Sequence, residues 1–143
     1  MRILVVNGPN LNLLGKRESS HYGTLSLLQL EEKIREHVGK KAELLFFQSN
    51  HEGEIVDFLQ SLKETDALIL NAAAFTHTSV AIRDALLATK TPFIEVHLSN
   101  VYARESFRQK SYLSDISRGV IYGFGAEGYL LAADYFLRTQ ATH

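Results

Sequence analysis

The chain contains no cysteine, which excludes a disulfide framework, a thiolate metal site and a cysteine nucleophile. It lacks an excess of either charge: 15 Lys and Arg stand against 16 Asp and Glu. Nucleic-acid binders usually carry a clear basic excess, so this balance argues against nucleic acid as a partner. There is no long apolar run. The apolar start at residues 2–6 is far too short for a membrane span or a signal peptide. No repeat, low-complexity tract or linker interrupts the pattern. The turn Asn7-Gly8-Pro9-Asn10 and the residues after it show neither the glycine spacing of a dinucleotide fingerprint nor the Gly-Lys-Ser/Thr of a P-loop. The histidines show no paired ligand spacing, so no metal is expected. What is present is a chain of 143 residues with ordinary apolar and charged fractions. One domain over residues 1–143, in the cytoplasm and away from membranes, is the expectation.

Short apolar runs alternate with helical patterns along the whole chain. Strands are expected at residues 3–6, 42–47, 67–70, 93–97 and 120–122. Helical spacing is seen at 26–38, 54–62, 79–88 and 126–137. Ser49 or Asn50 is expected to cap the second helix, and a Thr or Ser of 76–79 the third. Strands alternating with helices imply a parallel sheet with right-handed crossovers on both faces. The expected fold is therefore α/β: a flavodoxin-like three-layer sandwich with a five-stranded parallel sheet in the order 2-1-3-4-5. Ligands of such sheets bind outside the carboxyl ends of the strands, at the switch in strand order.

Candidate residues gather in the loops that this topology would bring together. Glu95 and His97 are two apart on the fourth strand and so point to the same side. A carboxylate beside an imidazole can hold one tautomer and favour the charged form that an acid catalyst needs. Taken alone, a Glu-x-His pair on a strand is more often structural. Its position at a strand end raises the catalytic reading. Arg104 and Arg108 follow with the spacing of one helical face, and guanidinium suits bidentate carboxylate binding. Loop one is long and holds Arg17 and Tyr22, with Gly15 and Gly23 placed as hinges of a lid. In loop three, His77 and Asp84 are seven apart, which puts both on one helix face if His77 opens the helix. Solvated helix positions and caps account equally well for Asp84 and for 76–79 taken singly.

Together these residues closely resemble type II 3-dehydroquinate dehydratase, over residues 3–137. The likeness is carried by 7–15 (Asn-Gly-Pro-Asn-Leu-Asn-Leu-Leu-Gly) with Arg17 and Tyr22-Gly23, and by 48–53 (Gln-Ser-Asn-His-Glu-Gly). Further on it is carried by Thr76-His77-Thr78-Ser79, Arg83-Asp84, 95–100 (Glu-Val-His-Leu-Ser-Asn), Arg104, Arg108 and 111–114 (Ser-Tyr-Leu-Ser). Ala73 stands where the family usually has glycine, a change that bears on the backbone path near the substrate, and Asp115 where it commonly has proline.

The resemblance implies dehydration of 3-dehydroquinate to 3-dehydroshikimate in the shikimate pathway, by anti elimination through an enolate, with no cofactor, metal or Schiff base. The last point agrees with the absence of lysine from every expected strand. It further implies that Tyr22 is the general base, its phenolate favoured by Arg17 and secondly Arg108, because a free tyrosine with pKa about 10 is scarcely ionised at neutral pH. Asn10 would hold a water against the enolate oxygen, and His97 with Glu95 would protonate the leaving hydroxyl. Asn71, His77, Ser99, Arg108 and the amides of Leu98 and Ser99 would bind substrate. Asp84 would reach a neighbouring subunit of a homododecamer, a tetramer of trimers.

Two rivals make different demands. A flavodoxin-like module for FMN or a nucleotide needs a Ser/Thr- and Gly-rich first loop, and a response regulator needs an aspartate where Asn71 stands. A third reading, a relative with lost or redirected activity, has Ala73 as its one visible hint.

Overall fold

The computed structural model describes residues 1–16 and 24–140. Its centre is a parallel sheet of β1 (Arg2–Asn7), β2 (Glu43–Gln48), β3 (Ala67–Asn71), β4 (Phe93–His97) and β5 (Gly119–Tyr122), in the order β2-β1-β3-β4-β5. Among the described residues four α-helices cover it: α1 (Leu27–Val38), α2 (Glu52–Gln60), α3 (Val80–Thr89) and α4 (Glu127–Gln140). Short 3-10 turns fill most of the loops at the carboxyl ends of the strands.

Side-chain alternation divides the core into two layers. Ile3, Val5, Ile69, Ile94 and Val96 face α1 and α4, meeting Leu30, Ile34, Tyr129 and Phe136. Leu4, Val6, Leu68, Leu70 and Phe93 face α2 and α3, meeting Ile55, Leu59, Ile82 and Leu86. β1, β3 and β4 are buried on both faces, as continuous apolar runs in a parallel sheet require. β5 is short, lies at the edge and is largely exposed.

The expected strand order and alternation are both found. The expected bounds differ by a few residues, and some local readings need correction. The second helix is Glu52–Gln60, not 54–62, and its N-cap is His51, which makes no side-chain cap bond. Ser49 instead accepts from the His51 amide at 2.9 Å and donates to Glu54, while Asn50 accepts from the Asn10 amide at 2.9 Å. The third helix is capped as expected by Ser79, whose Oγ accepts from the Ile82 amide at 2.9 Å. His77, however, ends a 3-10 turn (Ala73–His77) ahead of that cap, so it is not in the first turn of α3 and shares no helix face with Asp84. Arg104 and Arg108 do not lie on one helix either. Arg104 follows one 3-10 turn (Val101–Ala103) and Arg108 sits in the next (Ser106–Gln109), with Glu105 in extended conformation between them.

Candidate active site

The carboxyl ends of β1, β3 and β4 meet where strand order reverses, and their last residues are Asn7, Asn71 and His97. Loop one crosses β3 so closely that a Cβ on Gly8 would stand 2.3 Å from the Ala72 carbonyl oxygen; only glycine fits there. The Gly8 amide donates to the Asn71 carbonyl at 2.8 Å. Beneath this crossing runs a buried chain of hydrogen bonds. The Ala73 amide donates to Asn71 Oδ1 at 3.1 Å, Asn71 Nδ2 to the Tyr129 hydroxyl at 2.9 Å, and that hydroxyl to Asn7 Oδ1 at 2.6 Å. Because the Ala73 amide can only donate, it fixes which end of the Asn71 amide is oxygen, and every bond beyond it then has one direction. Burial pushes the Tyr129 phenol well up, which keeps it a donor. Ala73 itself has φ 53°, in the left-handed region where a Cβ is unfavourable, so alanine at this position carries backbone strain.

On β4 the predicted pair is present. His97 Nε2 lies 2.5 Å from Glu95 Oε2, and the two residues are only 7% and 2% exposed. The other carboxylate oxygen, Oε1, accepts from Ser111 Oγ at 2.9 Å and Ser114 Oγ at 2.8 Å. Burial alone would push the Glu95 carboxyl up. The bond and charge of His97, with the bonds from Ser114 and Ser111, outweigh it and hold the group below the usual carboxylate range. With Nε2 committed to Glu95, the ring nitrogen left for other partners is Nδ1.

His77 stands opposite, its ring centroid 6.2 Å from that of His97. Its Nδ1 lies 2.7 Å from the Lys110 carbonyl oxygen, which can only accept, so Nδ1 carries the proton. Burial lowers the His77 pKa, the Lys110 bond opposes this, and the nearby His97 and Arg108 lower it further.

These groups surround a pocket of about 100 Å³, lined by Asn10, Asn71, His77, His97, Leu98, Ser99 and Arg108 of the expected site. It is also lined by Pro9, Leu11, Ala73, Ala74, Val101 and Arg104. Arg104, expected with Arg108 to suit a carboxylate, is thus part of the pocket wall. Its guanidinium is buried in the wall, with Nη1 3.4 Å from Ser99 Oγ. The Arg108 side chain is braced on Glu105 at 3.1 Å. Asn10 takes φ 69°, a conformation asparagine tolerates. Glu95 lies behind His97 and Asp84 is exposed on α3; neither is among the lining residues. Arg17 and Tyr22 lie outside the described residues. Asp115, which stands where the family commonly has proline, forms a two-pronged ion pair with Arg83 at 2.5 and 3.0 Å. Among the described residues, no group of three or more His, Cys, Asp or Glu is placed to hold a metal, and no helix is long and apolar enough to cross a membrane.

A family model described as dehydroquinase class II matches residues 1–137. A 3-dehydroquinate dehydratase of Bordetella pertussis is 56% identical over 140 residues, covering 96% of this chain and 97% of that protein. One of Histophilus somni is 54% identical over 136 residues, covering 94% and 91%. The crystal structure of the type II dehydroquinase of Butyrivibrio crossotus superposes with a TM-score of 0.91 at 45% identity, covering 96% of this chain and 97% of that one.

Proposed function

This chain belongs to the class II dehydroquinase family, and from that premise we propose that it is a hydro-lyase converting 3-dehydroquinate to 3-dehydroshikimate, a step of the shikimate pathway. The observation that carries this reading is the buried Glu95–His97 pair at the mouth of β4, in a pocket that also presents Arg104, Arg108 and Ser99. A paired imidazole is suited to protonating a departing hydroxyl, and guanidinium groups are suited to a substrate carboxylate.

The reaction removes a proton beside the ketone, forms an enolate and expels the hydroxyl in an anti sense. Tyr22 is the proposed base, with Arg17 favouring its phenolate. His97 is the proposed acid and acts through Nδ1, because Nε2 is bound to Glu95. Asn10 is assigned to the water at the enolate oxygen, a form of electrostatic stabilisation. Asn71, His77, Leu98, Ser99 and Arg108 are assigned to substrate hydroxyls and carboxylate. Asn71 takes part with the second N–H of its Nδ2, since the first goes to Tyr129. The whole sequence of steps uses side chains and a water, without a cofactor, metal or Schiff base.

Residues 1–143 are read as one catalytic domain, placed in the cytoplasm. The assembly is read as a homododecamer built as a tetramer of trimers, in which Asp84 serves a neighbouring copy. The exposed position of Asp84 and the exposed side chains Tyr102, Tyr122 and Phe124 near β5 support self-association. Incubating the pure protein with 3-dehydroquinate and following enone absorbance tests the activity; no absorbance change would overturn it. Analytical ultracentrifugation tests the assembly.

A further inference from the structure

The geometry points to Ser111 and Ser114 as positioning residues of the proposed acid: their hydroxyls keep Glu95 a carboxylate and so fix a proton on His97 Nε2, leaving Nδ1 to exchange protons in the pocket. This rests on the reading of His97 as the acid given above, but its basis is a count of donors.

A serine hydroxyl has one hydrogen to donate and two lone pairs to accept with. Ser111 Oγ accepts from the backbone amides of Leu113 and Ser114, both at 3.0 Å. Neither amide can reverse its role, so both lone pairs are used and the single hydroxyl hydrogen must go to Glu95 Oε1 at 2.9 Å. Ser114 Oγ reaches the same oxygen at 2.8 Å. A proton on Oε1 would oppose the Ser111 hydrogen, so Oε1 is locked as an acceptor. Only Oε2 could be protonated, and there the proton is shared with His97 Nε2 at 2.5 Å. Two hydroxyl donors on the far oxygen make the carboxylate a weaker base, so the shared proton stays on the histidine.

The serines are held where they can do this. Leu113, between them, is fully buried in the α2/α3 layer. The Tyr112 amide donates to the Thr76 carbonyl at 2.9 Å, and Arg83 donates to the Tyr112 carbonyl at 2.8 Å while pairing with Asp115. The same segment supplies the Lys110 carbonyl that fixes the His77 ring. Residues 110–115 thus set the proton on both histidines from one side.

Ser114→Ala is the cleaner variant, because Ser111 also holds two amides. It should lower kcat about tenfold, the scale of one hydrogen bond to a charged group, and leave KM within about twofold. Ser114→Thr, which keeps the hydroxyl, should restore most of the loss. In a Glu95→Gln background the same Ser114→Ala change should cost nothing further, since the group it acts through is gone. No loss in the native background, or an equal loss in both, would overturn the proposal.

A readout independent of turnover is NMR on ring-labelled histidine in the free enzyme. His97 should show a proton on Nε2 throughout the neutral range, and Ser111→Ala/Ser114→Ala should bring in the Nδ1-protonated tautomer. An unchanged tautomer in the double variant overturns the serine assignment. Full turnover in His97→Ala would instead overturn the acid reading, and the NMR result would still decide whether the serines set the proton.

Discussion

The ends of β4 and β1 are organised differently. At β4, side chains bond side chains: Glu95 is held by His97, Ser111 and Ser114, and all four meet inside the fold. In the loop that leaves β1 the bonds run to the backbone. Gly8 donates to the Asn71 carbonyl, Asn50 accepts from the Asn10 amide, and Gln48 Nε2 donates to the Gly8 carbonyl at 3.1 Å. The first arrangement sets a protonation state, which requires burial and matched donors. The second sets the path of a chain that leads towards Arg17 and Tyr22. The two halves of the proposed elimination therefore depend on different physics, and substitutions should separate them.

The largest effects are expected on turnover. Tyr22→Phe should cost about 10²–10⁴-fold in kcat with little change in affinity, and His97→Ala about 10²-fold or more, the usual scale of acid–base catalysis. Stopped-flow kinetics with both variants would show it; near-normal turnover in either removes that residue from its role. Gly8→Ala should be the most damaging change to folding on the β1 side. Its Cβ meets a backbone oxygen at 2.3 Å, and forcing the strands apart should cost about 3 kcal/mol or more in urea unfolding. If it unfolds like the wild type, the close crossing does not constrain loop one.

Tyr129→Phe should cost about 1–3 kcal/mol, because it leaves Asn7 Oδ1 and an Asn71 N–H buried without their partner. Unchanged stability would mean that the chain of bonds between the two strand ends is not structural. Ala73→Gly should raise stability by about 0.5 kcal/mol, as relief of the left-handed strain exceeds the added freedom of the unfolded chain. A loss instead would show that the strain has been absorbed elsewhere.

The smallest effect is one of pH. His77 has a lowered pKa in the fold, so the unfolded chain binds more protons just below the ordinary histidine value of about 6.5, and stability is lost as the pH is lowered through that window. Glu95, also lowered, adds loss only below the ordinary glutamate value of about 4.3. Thermal melts from pH 7 to 5.5 should therefore show a smaller decline for His77→Asn than for the wild type.

Much of the β4 end was legible in the sequence, because i, i+2 alternation on a strand puts Glu95 and His97 together without reference to anything else. Helix positions were less so. His77 and Arg108 fell into short 3-10 turns that carry no periodic signature, and the spacing argument for shared helix faces failed there. Ser111, Ser114 and Tyr129 had no local signal of function. A serine in a loop and a tyrosine in an apolar helix pattern look ordinary until the fold brings Glu95 and the two asparagines to them.

The sequence by itself determined the alternation of strands and helices, the parallel sheet and its order, the Glu95–His97 pair and the family. Those follow from local periodicity and from residues at fixed spacing. Only the tertiary structure decided the left-handed Ala73, the closed crossing at Gly8, the Arg83–Asp115 clamp and the serines behind Glu95. The last three join residues from different parts of the chain, and the direction of a hydrogen bond is set by which partner arrives there, which no local pattern encodes.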